Sequence, residues 1–91
     1  MVRLLEGVGM KERLYKGKKN ITGERVRMAR EKKGLTQKAL AAMLQTEQIV
    51  IDNNGVSKIE RNMRSVTDFE LKFIAKHLDV TMDWLADGED S

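Results

Sequence analysis

Asn53 and Asn54 stand side by side, and Ser57 and Lys58 follow them one helical turn on. At that spacing four polar side chains share one helix, and their chemistry is that of base-edge readers. Asn sets a donor and an acceptor against adenine N6 and N7, Lys donates to guanine O6 and N7, and Ser serves base or phosphate. Gly55, between them, is expected to let the helix approach a groove wall closely. Other chemistry is poorly supplied. The chain has no Cys and one His, His77, with no second ligand at metal spacing. No metal site, cofactor or nucleophile-base pair is expected, and so no enzyme.

Two short helices with a long turn between them must hold these residues. With Asp52 as N-cap, Asn53, Asn54 and Gly55 become the first helical residues, Ile51 and Val56 fall at the two positions of a hydrophobic staple, and a carboxylate meets the positive helix end. The helix before it is capped by Thr36, has Gln37 in its first turn and turns Leu40, Ala41 and Leu44 inward. Ala41 is small, which allows a close crossing. Thr36 and Gln37 also stand at a helix N-terminus, where backbone N–H groups and the dipole hold a phosphate. The competing reading makes residues 49–51 a short buried strand and Asp52–Gly55 a β-turn.

The rest of the chain frames this pair. Residues 1–20 form a basic arm with no decisive period, either a flexible contact to phosphate or groove or a solvated tail, and a second Met at position 10 leaves open an alternative start. Thr22 can cap a helix over 23–33 that ends at Gly34, with Val26, Ala29 and Met28 inward. Asn62, after the reading helix, takes left-handed backbone at moderate cost. Thr67 and Glu70 make a capping box for a helix through Leu78 with Phe69, Ile74 and Leu78 inward and Leu71 and Phe73 widening that face. Thr81 caps a last short helix, stopped by Gly88, on which Met82, Trp84 and Leu85 are more apolar surface than it can bury under itself. The domain spans 21–88, with 89–91 as a tail.

Composition agrees with a small all-α domain: 91 residues, no Pro, few aromatics. No apolar run approaches the roughly 18 residues of a membrane span, and the lack of Cys fits a reducing cytoplasm. The net charge of +3 is unevenly spread: +7 over residues 1–33, +1 over 34–64 and −5 over 65–91. A basic first part and an acidic end suit a molecule with one face turned to a polyanion.

Four segments in order, R-x-x-x-G-L-T-Q ending at Gln37, S-x-I-E ending at Glu60, I-A-x-x-L ending at Leu78 and D-W-L ending at Leu85, make the chain similar to the lambda-repressor-like helix-turn-helix family over about residues 22–88. The resemblance implies a compact five-helix fold. It also implies an Arg30–Glu60 pair fixing the angle between helices, phosphate contacts from Arg61 and Arg64, and a dimer contact through Met82, Trp84 and Leu85. Three departures stand out: Gln45 replaces the turn glycine, Asn62 replaces a helix-ending glycine, and the turn is longer. Counted from Gln37, the apolar anchors of the second helix would be Ile51 and Asn54. Asn54 cannot be a core anchor, whereas Val56 and Ile59 have the right spacing, so the turn holds an insertion of about five residues. The inserted residues are expected to bulge outward while Ile49 or Ile51 points into the core.

A reading helix this short needs a second copy for discrimination, so a homodimer on an inverted repeat of double-stranded DNA is expected, its half-sites about 34 Å apart. The function expected is a sequence-specific regulator, a repressor. The alternative is an antitoxin-type module that neutralises a partner toxin or other protein antagonist through the Met82/Leu85 surface and acidic end, with DNA binding secondary.

Overall fold

Side chains start the helices, and residues in left-handed backbone stop four of them. The structure, a computed structural model, describes residues 14–87. Among them are α1 (Gly23–Lys32), α2 (Gln37–Gln45), α3 (Asn53–Glu60), α4 (Asp68–Leu78) and α5 (Met82–Asp87). Residues 1–13, the expected stop at Gly88 and the tail lie outside the described residues.

The α2 start is capped by Thr36 Oγ1, which accepts the Ala39 N–H at 3.0 Å. Asp52 Oδ1 accepts the Gly55 N–H at 2.8 Å and starts α3 where the capping argument placed it. The Thr67/Glu70 capping box of α4 is complete. The α1 start differs from expectation. Thr22 makes no side-chain cap, and its Oγ1 is buried without a partner; Asn20 Oδ1 instead accepts the Thr22 and Gly23 N–H groups, each at 2.9 Å. An Asn side chain two residues before Thr22 thus satisfies the N–H groups of the N-cap and of the first helical residue.

Gly34, Gln48, Asn62 and Asp79 all have φ between 59° and 72°. At each, the next residue's N–H reaches back to a carbonyl five residues earlier: Leu35 to Arg30, Ile49 to Leu44, Met63 to Lys58 and Val80 to Ala75. This is the Schellman stop, which satisfies orphan carbonyls at the helix end. Glycine fills only one of the four positions.

The core draws on every helix: Val26 and Ala29 of α1, Leu40, Ala41 and Leu44 of α2, Val56 and Ile59 of α3, Ile74, Ala75 and Leu78 of α4, and Leu85 of α5. α3 lies against both α2 and α1, α4 covers α2, and α5 touches α4 and α1. The start of α1 presses on the end of α3 so closely that a Cβ at Gly23 would sit 2.2 Å from the Ile59 carbonyl oxygen. Two expected core residues are outside. Met28, two residues from Val26 and hence on the opposite side of α1, is exposed. Phe69 is exposed too, because the first turn of α4 buries Glu70 instead.

Residues 46–52 form the lengthened turn, and no strand forms over 49–51. Ile49 and Ile51 both enter the core while Val50 between them is 94% exposed. The turn is tied by Gln45, whose Nε2 donates to the Ile51 carbonyl at 2.7 Å. The Gln that stands where a turn glycine was expected therefore bridges the insertion, and the left-handed residue comes three positions later, at Gln48.

Candidate nucleic-acid interface

The amphipathicity of α3 settles which side of it faces out. Val56, Ile59 and Glu60 are buried, whereas Asn53, Asn54 and Lys58 are exposed and Ser57 is half-buried. Ser57 is partly committed, since its Oγ accepts from Arg61 Nε at 3.2 Å. Gly55 has an additional role within the fold. A Cβ there would stand 2.6 Å from Ile51 Cγ1. The glycine makes room for the side chain that anchors the turn.

The angle of α3 is held by a buried polar group. Arg30 Nε and Nη2 donate to the two carboxylate oxygens of Glu60 at 2.6 and 3.1 Å, and Arg30 Nη1 donates to the Leu35 carbonyl at 2.7 Å. Gln37 Nε2 adds a third donor to Glu60 at 3.0 Å. The hydrogen bond from Arg30 to Glu60 raises the guanidinium pKa against the cost of burial. The bond to Glu60 uses one of the two amide hydrogens of Gln37, whose half-buried side chain keeps a second donor beside its backbone N–H. Ala39 N–H is taken by the Thr36 cap and Leu40 N–H by the Thr36 carbonyl, which leaves the N–H groups of Gln37 and Lys38 at the start of α2.

Arg61 is exposed. Arg64 is half-buried and already paired, its Nη1 and Nη2 each 3.0 Å from an oxygen of Glu70. Burial would push the Glu70 carboxyl up, but Arg64 and the Thr67 N–H outweigh it and hold it below the ordinary value. A phosphate contact by Arg64 has to be shared with this fork.

The expected dimer surface loses a residue. Leu85 is fully buried within the chain, packed into the core cluster, while Met82 is 39% exposed and Trp84 half-buried. α5 thus buries more of itself than its length suggested, because α1 as well as α4 lies under it. His77 Nε2 stands 2.8 Å from Glu47 Oε2, which also accepts from Lys76 Nζ at 3.1 Å. These partners hold Glu47 below its ordinary value. They strap the lengthened turn to α4.

Sequence reasoning missed Asn20. Its Nδ2 donates to the Ile59 and Arg64 carbonyls at 3.0 and 2.8 Å, and its Oδ1 also accepts from Asn62 Nδ2 at 2.9 Å. The only signal was an Asn three residues before a helix start, which is a turn-forming residue in any context.

A helix-turn-helix family model matches residues 26–85. The chain belongs to the lambda-repressor-like helix-turn-helix family. The match covers α1 from Val26, the whole helix-turn-helix, α4 and most of α5. The chain is also similar in structure to the P22 c2 repressor protein, solved in complex with synthetic operator 9T in the presence of Tl+, at a TM-score of 0.66 and 28% identity, over 77% of this chain and 98% of that one. No curated protein sequence matches it. Family and fold are those of DNA-binding transcriptional regulators. No described helix is long and apolar enough to cross a membrane.

Proposed function

We propose that this chain is a cytoplasmic, non-enzymatic repressor that reads an inverted-repeat operator as a homodimer, with α3 in the major groove. The observation that carries the reading is the register of α3. Asp52 caps it, Val56 and Ile59 anchor it, and that leaves Asn53, Asn54 and Lys58 exposed on one element. Asn53 and Asn54 recognise adenine edges, Lys58 a guanine, and Ser57 a base or the adjoining phosphate. Backbone N–H groups at the start of α2, beside Thr36 and Gln37, together with Arg61 and Arg64, hold phosphates and set the register of docking. The P22 c2 repressor on its synthetic operator supplies a precedent for the mode of binding. Met82 and the exposed part of Trp84 contribute to contact between two copies.

The test is recovery of bound duplexes from a random pool by the full chain. The expected product is a motif with inverted symmetry and half-site centres about one helical turn apart. A pool recovered without any enriched motif contradicts the reading.

A further inference from the structure

The basic turn ahead of α1 is built onto the reading helix. Tyr15 and Lys18 exchange two backbone hydrogen bonds, of 2.8 and 2.9 Å. Between them Lys16 and Gly17 have φ of 51° and 82°, the positive values that a two-residue hairpin turn of type I′ requires. The chain then enters a lock made by two asparagines. Asn20 ties the Ile59 and Arg64 carbonyls to the start of α1, using both of its donor hydrogens and its oxygen. Asn62 Nδ2 answers with bonds to Asn20 O at 3.2 Å and to Asn20 Oδ1 at 2.9 Å, and the Lys19 N–H donates to the Asn62 carbonyl at 3.1 Å.

This lock has a consequence for charge. Lys19 lines one open cleft together with Asn54, Lys58 and Arg64. One acid, Asp52, also lines that cleft, and its Oδ1 accepts the Gly55 N–H. Three lysines, at 16, 18 and 19, stand on or beside the turn, and no acid lies between residues 13 and 23.

We propose that the cleft between the turn and α3 seats a DNA backbone phosphate, with Lys19 as its contact, and that Asn20 and Asn62 are the positioning residues that hold Lys19 there. The proposal rests on the DNA-binding reading above and deepens it. A lysine on a free tail attracts a polyanion without fixing where it docks. One whose backbone is bonded to the end of the reading helix contributes to register as well as charge.

The experiment is a salt titration of the full chain on a duplex recovered from the pool and on a scrambled one, for Lys19→Ala, Asn20→Ala, Asn62→Gly and the double variants with Lys19→Ala. Asn62→Gly keeps the left-handed backbone and removes only the amide. Thermal unfolding shows which variants remain folded. Lys19→Ala should weaken both duplexes alike and make the slope of log affinity against log salt shallower by about 0.9. Asn62→Gly should flatten the slope in the same direction with Lys19 still present, and adding Lys19→Ala to it should change little more. An unchanged slope in Lys19→Ala, or strictly additive effects in the double variant, overturns the proposal. If the wild-type chain prefers no duplex over its scrambled form, the function itself is wrong, a result that the slopes do not mimic.

Discussion

At the scale of single residues, the turn and the start of α3 depend on two residues whose roles are steric and conformational. Gly55 yields its Cβ space to Ile51. Gly55→Ala should cost about 1 to 3 kcal/mol by overpacking, and Gly55→Ala with Ile51→Ala should lose less than the sum of the single losses in urea unfolding. Additive losses would mean the two side chains do not compete for that space. Gln48 holds φ 66° with a full side chain, so Gln48→Gly should relieve strain, raise stability by up to about 1 kcal/mol and raise Tm; a lower Tm would contradict it. Legibility at this scale followed residue type. Gly34 and Asn62 advertise left-handed backbone, and both were read from the sequence. Gln48 takes the same conformation without any such mark, because the hydrogen bonds of the helix stop outweigh its side-chain preference, whereas Asp79 shares the tolerance of Asn. Asn20 was illegible for the opposite reason, since its partners lie about forty residues away.

Among elements, α1, α2 and α3 are held in one arrangement by Arg30, Gln37 and Glu60. The Arg30–Glu60 pair is buried on both sides, so either Arg30→Met or Glu60→Gln strands its partner and should cost about 3 to 5 kcal/mol. The double variant should recover part of that loss. A thermal-unfolding cycle in which the losses simply add would show that the pair is not the coupling between α1 and α3. The pairing was expected from family resemblance, and the capping register of α3 from local rules alone; both are present. The fate of α5 was not legible in the same way. Met82, Trp84 and Leu85 lie on a six-residue helix, and local pattern cannot distinguish surface saved for a second subunit from surface covered by a helix remote in sequence. Leu85 is taken into the core cluster, with α1 as well as α4 against α5. Phe69 misled for a related reason: an apolar residue in a first helical turn reads as core unless the neighbouring carboxylate is known to turn inward towards an arginine.

For the molecule as a whole, carboxylates paired with cations join segments distant in sequence, Glu47 to α4 and Asp79 to α1, while Glu70 pins the Arg64 loop. Lys33 beside Asp79 holds that carboxyl below its ordinary value, and Glu47 and Glu70 are lowered as well. Groups with depressed folded pKa values bind protons more tightly when unfolded, so their contribution is full above the ordinary values of 4.5 for Glu and 3.8 for Asp and is lost as pH falls through the folded ones. Thermal unfolding from pH 7 down to 3 should show a Tm steady to about pH 5 and falling below it, and Glu70→Gln should flatten the fall; a Tm that rises on acidification would contradict this. The central claim concerns the outer face of α3, and the comparison of Asn54→Ala with the wild type on a selected duplex and on its scrambled form tests it most directly. The account predicts a loss of about 1 to 3 kcal/mol on the selected duplex with the scrambled one almost unaffected. Equal weakening on both would contradict it, because Asn54 would then be a source of general affinity and the reading of bases would lie elsewhere.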